Sequence, residues 1–208
     1  MFKKRAVLSV RFKSLLTAGI LGISVFLAPA AGMPARADSY REFPYDTSTP
    51  WSNDDVDEML DYATQWAGRI SYASSQNNTD DEGRRFEELH DGGATDCSWF
   101  VYHVLFRYGL VGDEFIHSYE WGNDPGCYPG AYNIGSDIDD ASPGDIICTG
   151  EGTKPQNSHV MIYIGDGMVV ECAAGSGVKI SGAPGHPREI VHFGCLPTTD
   201  SDKTVDTE

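Results

Sequence analysis

A cysteine, a histidine and a carboxylate, each set in an apolar stretch, give this sequence its chemistry. Cys97 lies in Asp96-Cys97-Ser98-Trp99-Phe100-Val101, His159 lies in Ser158-His159-Val160-Met161-Ile162-Tyr163-Ile164-Gly165, and Glu171 follows twelve positions later. A thiol is nucleophilic as thiolate, and an imidazole beside it can take and return a proton. A carboxylate on the far ring nitrogen would fix the tautomer and stabilise the charged ring. The three residue types therefore fit nucleophilic attack on a carbonyl, with Cys97 attacking, His159 as general base and then acid, and Glu171 as orienter.

Three elements must bring them together. Phe100, Val101, Val104, Leu105 and Tyr108 recur at the steps of a buried helix face and Gly109 is a natural stop, so a helix is predicted with Asp96 as N-cap and Cys97 in its first turn. The amides of a helix start favour a thiolate there. Asp145–Thr149, His159–Ile164, Met168–Ala173, Val178–Ile180 and Glu189–Phe193 read as short strands. Asp166-Gly167 is a hairpin signal that folds the Glu171 strand back beside the His159 strand. An earlier helix, capped by Asn53 or Asp54, carries Val56, Met59, Leu60, Ala63 and Ala67 and ends at Gly68. Helices before an antiparallel sheet make the class α+β, in one domain.

The remaining segments read by composition. Lys3, Lys4, Arg5, Arg11 and Lys13 precede an apolar run, Leu15–Leu27, and small residues ending Ala35-Arg36-Ala37, so residues 1–37 are expected to be a signal peptide of a secreted protein. Residues 38–53 are a polar lead-in, 54–197 the folded domain and 198–208 a disordered acidic tail. Ser74–Gly93 is a surface excursion, and Val111–Ala141 reads as long loops whose Tyr119, Trp121, Tyr128 and Tyr132 either line a cleft or pack. Without the leader, 9 basic residues face 31 acidic ones, near −22. That balance argues against nucleic acid or anionic lipid as a partner, and no membrane association is expected once the leader is removed.

Cys97, Cys127, Cys148, Cys172 and Cys195 contain no Cys-x-x-Cys pair, so neither a metal nor another cofactor is expected. An odd number leaves one thiol free in a monomer, and Cys97 is the choice. Cys148 and Cys172 are either bridged or packed. His103 reads as a packing or surface residue rather than a second base, and His90, His117, His186 and His192 carry no signal. Activity is expected to fall on the acid side as His159 gains its charge.

Taken in order, Asp96-Cys97-Ser98 with Phe100-Val101, then Pro143-Gly144-Asp145, then His159-Val160-Met161-Ile162-Tyr163-Ile164-Gly165, resembles the NlpC/P60 family of secreted cell-wall cysteine peptidases. The resemblance implies a papain-like fold and metal-free hydrolysis of amide bonds in peptidoglycan stem peptides, commonly between D-Glu and the diamino acid. It also implies an extracellular, cell-wall-associated protein. By matching motif it makes Cys97, His159 and Glu171 the catalytic set, with Tyr72 near the nucleophile as an aid to the oxyanion, and Asp96 and Ser98 as contacts to a substrate amine. Trp99 stands where the family usually has glycine and should reshape the helix packing or the adjoining subsite. Arg69-Ile70-Ser71-Tyr72 ahead of a remote cysteine helix is also similar to phage-type wall amidases of the same superfamily. Two other functions thus stand beside the endopeptidase: an N-acetylmuramoyl-L-alanine amidase, and a non-catalytic cell-wall binding module.

Overall fold

The computed structural model describes residues 50–73, 89–112, 115–121, 128, 130–154 and 157–198. The leader, most of the lead-in, most of the Ser74–Gly93 excursion, Cys127 and the tail beyond residue 198 lie outside them. The described residues form two α-helices and a six-stranded antiparallel sheet, an α+β arrangement.

Helix α1, Asn53–Thr64, starts one residue earlier than its polar run suggests. Ser52 is its N-cap in a reciprocal capping box: its hydroxyl accepts from the Asp55 amide at 3.3 Å, while its own amide donates to Asp55 Oδ2 at 2.9 Å. Val56, Met59, Leu60 and Ala63 are buried, but Ala67 lies past the helix end. Helix α2, Cys97–Arg107, is capped by Asp96, whose Oδ1 accepts from the Trp99 amide at 2.9 Å. Its end is a Schellman turn: Leu110 N–H donates to Leu105 O and Gly109 N–H to Phe106 O, both at 3.0 Å. Phe100, Val101, Val104 and Leu105 are fully buried against the sheet, each contributing about 1.5–3 kcal/mol by leaving water.

The short strands β1, Ser71–Tyr72, and β2, Ala94–Thr95, pair in parallel just before α2. The large sheet uses β3 Ala131–Gly135, β4 Ile146–Gly150, β5 Ser158–Gly165, β6 Met168–Ala173, β7 Gly177–Gly182 and β8 Glu189–Phe193, in the spatial order β3-β8-β4-β5-β6-β7. The last five match the sequence-predicted strands to within two residues at each end. Strand β3 lies inside the segment read as loops. It is an edge strand, with Tyr132 and Asn133 exposed, so no burial pattern marks it in the sequence. Trp121 and Tyr128 from that segment are fully buried and pack on each other, 5.1 Å between rings, which makes them core rather than cleft wall.

The Pro143-Gly144-Asp145 turn enters β4 around a buried polar group. Asp145 is completely inaccessible; its Oδ2 accepts from the Ser142 amide at 2.8 Å and its Oδ1 from His192 Nδ1 at 2.6 Å. It therefore ties the β4 entry to β8, a structural use that satisfies a buried carboxylate.

Strand β7 is docked on the turn that leads to β1. Val178 N–H donates to Ile70 O at 2.9 Å and Gly68 N–H to Val178 O at 2.8 Å. Gly177, with φ +71°, makes this approach possible, because a Cβ there would stand 2.1 Å from Ile70 O. Gly177→Ala is expected to lower stability by about 2 kcal/mol or more, since the left-handed backbone and the backbone collision both oppose a side chain. Chemical denaturation checks this; an unchanged midpoint would mean the turn and strand are not held together as described.

Candidate active site

Cys97 is the first residue of α2, where the helix amides converge, and its side chain is buried against Ser98, Sγ to Oγ 3.9 Å. His159 is the second residue of β5, paired with Thr149 of β4. Glu171 is on β6. The registered pairs of the β5–β6 hairpin stop at Ile162 and Val170, so Glu171 lies one residue and His159 three beyond the last of them, a diagonal rather than a direct pair. His159 Nε2 nevertheless donates to Glu171 Oε2 at 2.6 Å. Cys97 acts on the charge of the same ring, and Nδ1 is the nitrogen that Glu171 leaves unoccupied.

The carboxylate is itself held. Ser181 Oγ donates to Glu171 Oε1, and Lys179 Nζ lies 3.5 Å from the same oxygen. Both come from β7, where Lys179 is the direct cross-strand partner of Glu171. The sequence reading missed these two groups. The alternation of Lys179, Ile180 and Ser181 beside Glu171 is the signal that would have found them.

The electrostatics follow from this packing. The His159 hydrogen bond, then Ser181 and the His159 and Lys179 charges, overcome burial and hold Glu171 down at about 2. For His159, burial is the largest influence and pushes its pKa down, but Cys97 and Glu171 together outweigh it and raise the ring to about 9. The packing thus favours the protonated ring, which places the loss of the His159 proton on the alkaline side. The arrangement can hold a thiolate against an imidazolium.

The other candidates have separate places. Tyr72, half-buried on β1, is opposite Thr95 of β2, two residues before Cys97. Cys172, next to Glu171, donates its thiol to Thr95 O at 3.3 Å. Burial, then the neighbouring Cys97, Asp96 and Glu171, push that thiol up to about 12. Burial likewise pushes Cys148 up to about 12, and Cys148 and Cys172 are packed thiols rather than a bridge. Asp96 is buried and occupied as the α2 cap, and Ser98 is buried with its hydroxyl accepting from the Ser118 amide at 3.2 Å. Trp99 is buried and stacks on Phe115, 4.0 Å between centroids and 12° between planes. Its bulk thus goes into packing a loop on the helix. His103 lies beside Trp99, and burial lowers its pKa to about 4, so it stays neutral near pH 7. Among the described residues no group of histidine, cysteine and carboxylate side chains is arranged to hold a metal ion. No helix among them is long and apolar enough to cross a membrane.

The model of the NlpC/P60 family matches residues 72–188, more than half of the chain. Among solved structures, the chain is similar to an NlpC/P60 family protein from Bacillus cereus ATCC 10987, at 18% identity over 70% of this chain and 41% of that one, TM-score 0.45. It is similar to NlpC2 from Trichomonas vaginalis at 21% identity, over 72% and 51% of the two chains, TM-score 0.46. RipD from Mycobacterium tuberculosis, a non-catalytic NlpC/p60 domain protein with a peptidoglycan-binding function, is 16% identical over 66% of this chain and 96% of its own, TM-score 0.44. The chain thus spans about half or less of the first two. A search of the curated proteins found no match.

Proposed function

The chain belongs to the NlpC/P60 family, whose members act on or bind peptidoglycan, and from that membership we propose that it is a cysteine peptidoglycan endopeptidase. The observation that carries the proposal is the ring of His159, held at 2.6 Å by Glu171 through Nε2, with Cys97 on the helix start near enough to act on its charge. A module that only binds has no chemical use for that alignment. Fixing the ring between a buried carboxylate and a thiol costs desolvation that catalysis would use.

In the proposed reaction the Cys97 thiolate attacks the carbonyl of the amide between D-Glu and the diamino acid. The oxyanion takes a hydrogen bond from the Cys97 amide, with Tyr72 as the second donor. The imidazolium of His159 gives its proton to the leaving amine as the C–N bond breaks, leaving a thioester. Neutral His159 then takes a proton from water, hydroxide adds to the thioester carbonyl, and the C–S bond breaks to return the thiolate and imidazolium. Glu171 keeps the ring in the same tautomer throughout and offsets its charge. The family resemblance gives Asp96, Ser98 and Trp99 substrate-contacting roles, although all three side chains are buried and engaged within the protein.

The test is digestion of purified peptidoglycan in reducing buffer by the protein recovered from culture medium, whose intact mass is expected to begin at Asp38. Soluble fragments with a new diamino-acid amine and a D-Glu carboxyl end are the expected result. Fragments with a free L-Ala amine would reassign the bond to the amidase reaction. No release from walls of several stem chemistries would overturn the hydrolase reading in favour of a binding module.

A further inference from the structure

After α2 the chain returns along the start of that helix as residues 115–121. Phe115 is seated on Trp99, the rings of His117 and Tyr119 stack at 5.7 Å, and Glu120 Oε2 accepts from the His117 amide at 2.7 Å. Ser118, in the middle of this strap, is 2% exposed. Its amide donates to Ser98 Oγ at 3.2 Å and its hydroxyl donates to the carbonyl of Ser158 at 3.3 Å. Ser98 directly follows Cys97, and Ser158 directly precedes His159.

We propose that Ser118 is a positioning residue that sets the separation of Cys97 and His159, with Trp99 and Phe115 holding the strap that presents it. A single residue, through its hydroxyl and its own amide, ties the first turn of α2 to the start of β5, the two places that carry Cys97 and His159. Proton exchange between sulfur and imidazole depends steeply on distance, and a displacement of about 1 Å can cost on the order of a hundredfold in rate. Ser118 touches neither reacting atom, so its effect passes through Ser98 and Ser158. It also gives Trp99 a use: the indole is the seat on which the strap folds back.

The inference rests on Cys97 and His159 forming the proposed ion pair, so its test reads that pair without any substrate. Alkylation of Cys97 by iodoacetamide is followed against pH, with the modified peptide identified by mass, in the wild type, Ser118→Ala, Ser118→Thr and Trp99→Leu. Asp96, Cys172 and Glu171 beside the pair, and His117 and Glu120 on the strap, are the same in all four proteins. Ser118→Ala is expected to move the acid midpoint of alkylation up by about one pH unit and to slow the reaction below it about tenfold. Ser118→Thr, which keeps the hydroxyl, is expected to restore the wild-type profile. Trp99→Leu is expected to give a smaller shift in the same direction and carries the test if Ser118→Ala does not fold. An unchanged profile in Ser118→Ala would overturn the inference even if its melting temperature fell, because a purely structural serine would change stability alone. If the profile shifts while no protein releases wall fragments, the positioning role stands and the hydrolase reading fails.

Discussion

Cys97→Ala is expected to abolish release of soluble peptidoglycan fragments, with kcat/KM reduced by at least about 10⁴-fold. The size follows from covalent catalysis: without the sulfur no thioester forms, and the remaining amides can only polarise a carbonyl that water must attack unaided. The fold should survive. Cys97 loses a single buried sulfur at the end of a helix whose main anchors are Phe100, Val101, Val104 and Leu105, so the cost in stability is about 1 kcal/mol. The measurement is fragment release by Cys97→Ala beside wild type at equal concentration, with the melting curve of each. Release at a wild-type rate by the variant would remove Cys97 as nucleophile, whatever the fold.

Glu171→Gln is expected to lower kcat/KM by about one to two orders of magnitude and to move the alkaline limb of its pH profile to lower pH. In the wild type that limb is expected near pH 9, where His159 gives up the proton that the leaving amine needs. The sign is set by charge. Burial pushes the imidazolium towards deprotonation, and the Glu171 carboxylate is one of the two groups that hold the proton on. Glutamine keeps a hydrogen-bonding oxygen but not the charge, so the ring releases its proton earlier as pH rises. The pKa of Glu171, held at about 2 chiefly by the His159 hydrogen bond against the opposing effect of burial, keeps it ionised through the working range. Profiles of kcat/KM for both proteins check this. A variant with lower activity but an unmoved alkaline limb would make Glu171 a packing residue rather than the orienter of His159.

Much of the machinery was legible because it depends on local patterns. The apolar steps from Phe100 to Tyr108, an aspartate cap and a terminal glycine specify a helix with Cys97 at its start, whatever lies around it. The Asp166-Gly167 turn requires two neighbouring antiparallel strands, and counting along them brings His159 and Glu171 within reach. Where the local signal is thin, the reading failed. Strand β3 has no alternation because it is an exposed edge, and the α1 cap is Ser52 because the capping box with Asp55 competes with two equally reasonable caps beside it. The direction of the His159 shift was not legible for a different reason: an isolated histidine titrates near 6.5, and only its packing with Cys97 and Glu171 raises it.

The sequence by itself determined the α+β class, the place of Cys97 on a helix start, the five strands from residue 146 onward and the nearness of His159 to Glu171. Each is a matter of periodicity, capping or a tight turn, whose causes lie within a few residues. Tertiary structure alone decided that Asp145 is consumed by His192, that Trp99 seats a strap through Phe115, that Ser181 and Lys179 hold Glu171, and that Ser118 joins Ser98 to Ser158. Most of those partners are separated by many residues. Buried polar groups take whichever partner the path of the chain brings to them, and that path is set by how the whole core packs, not by any pattern near either residue.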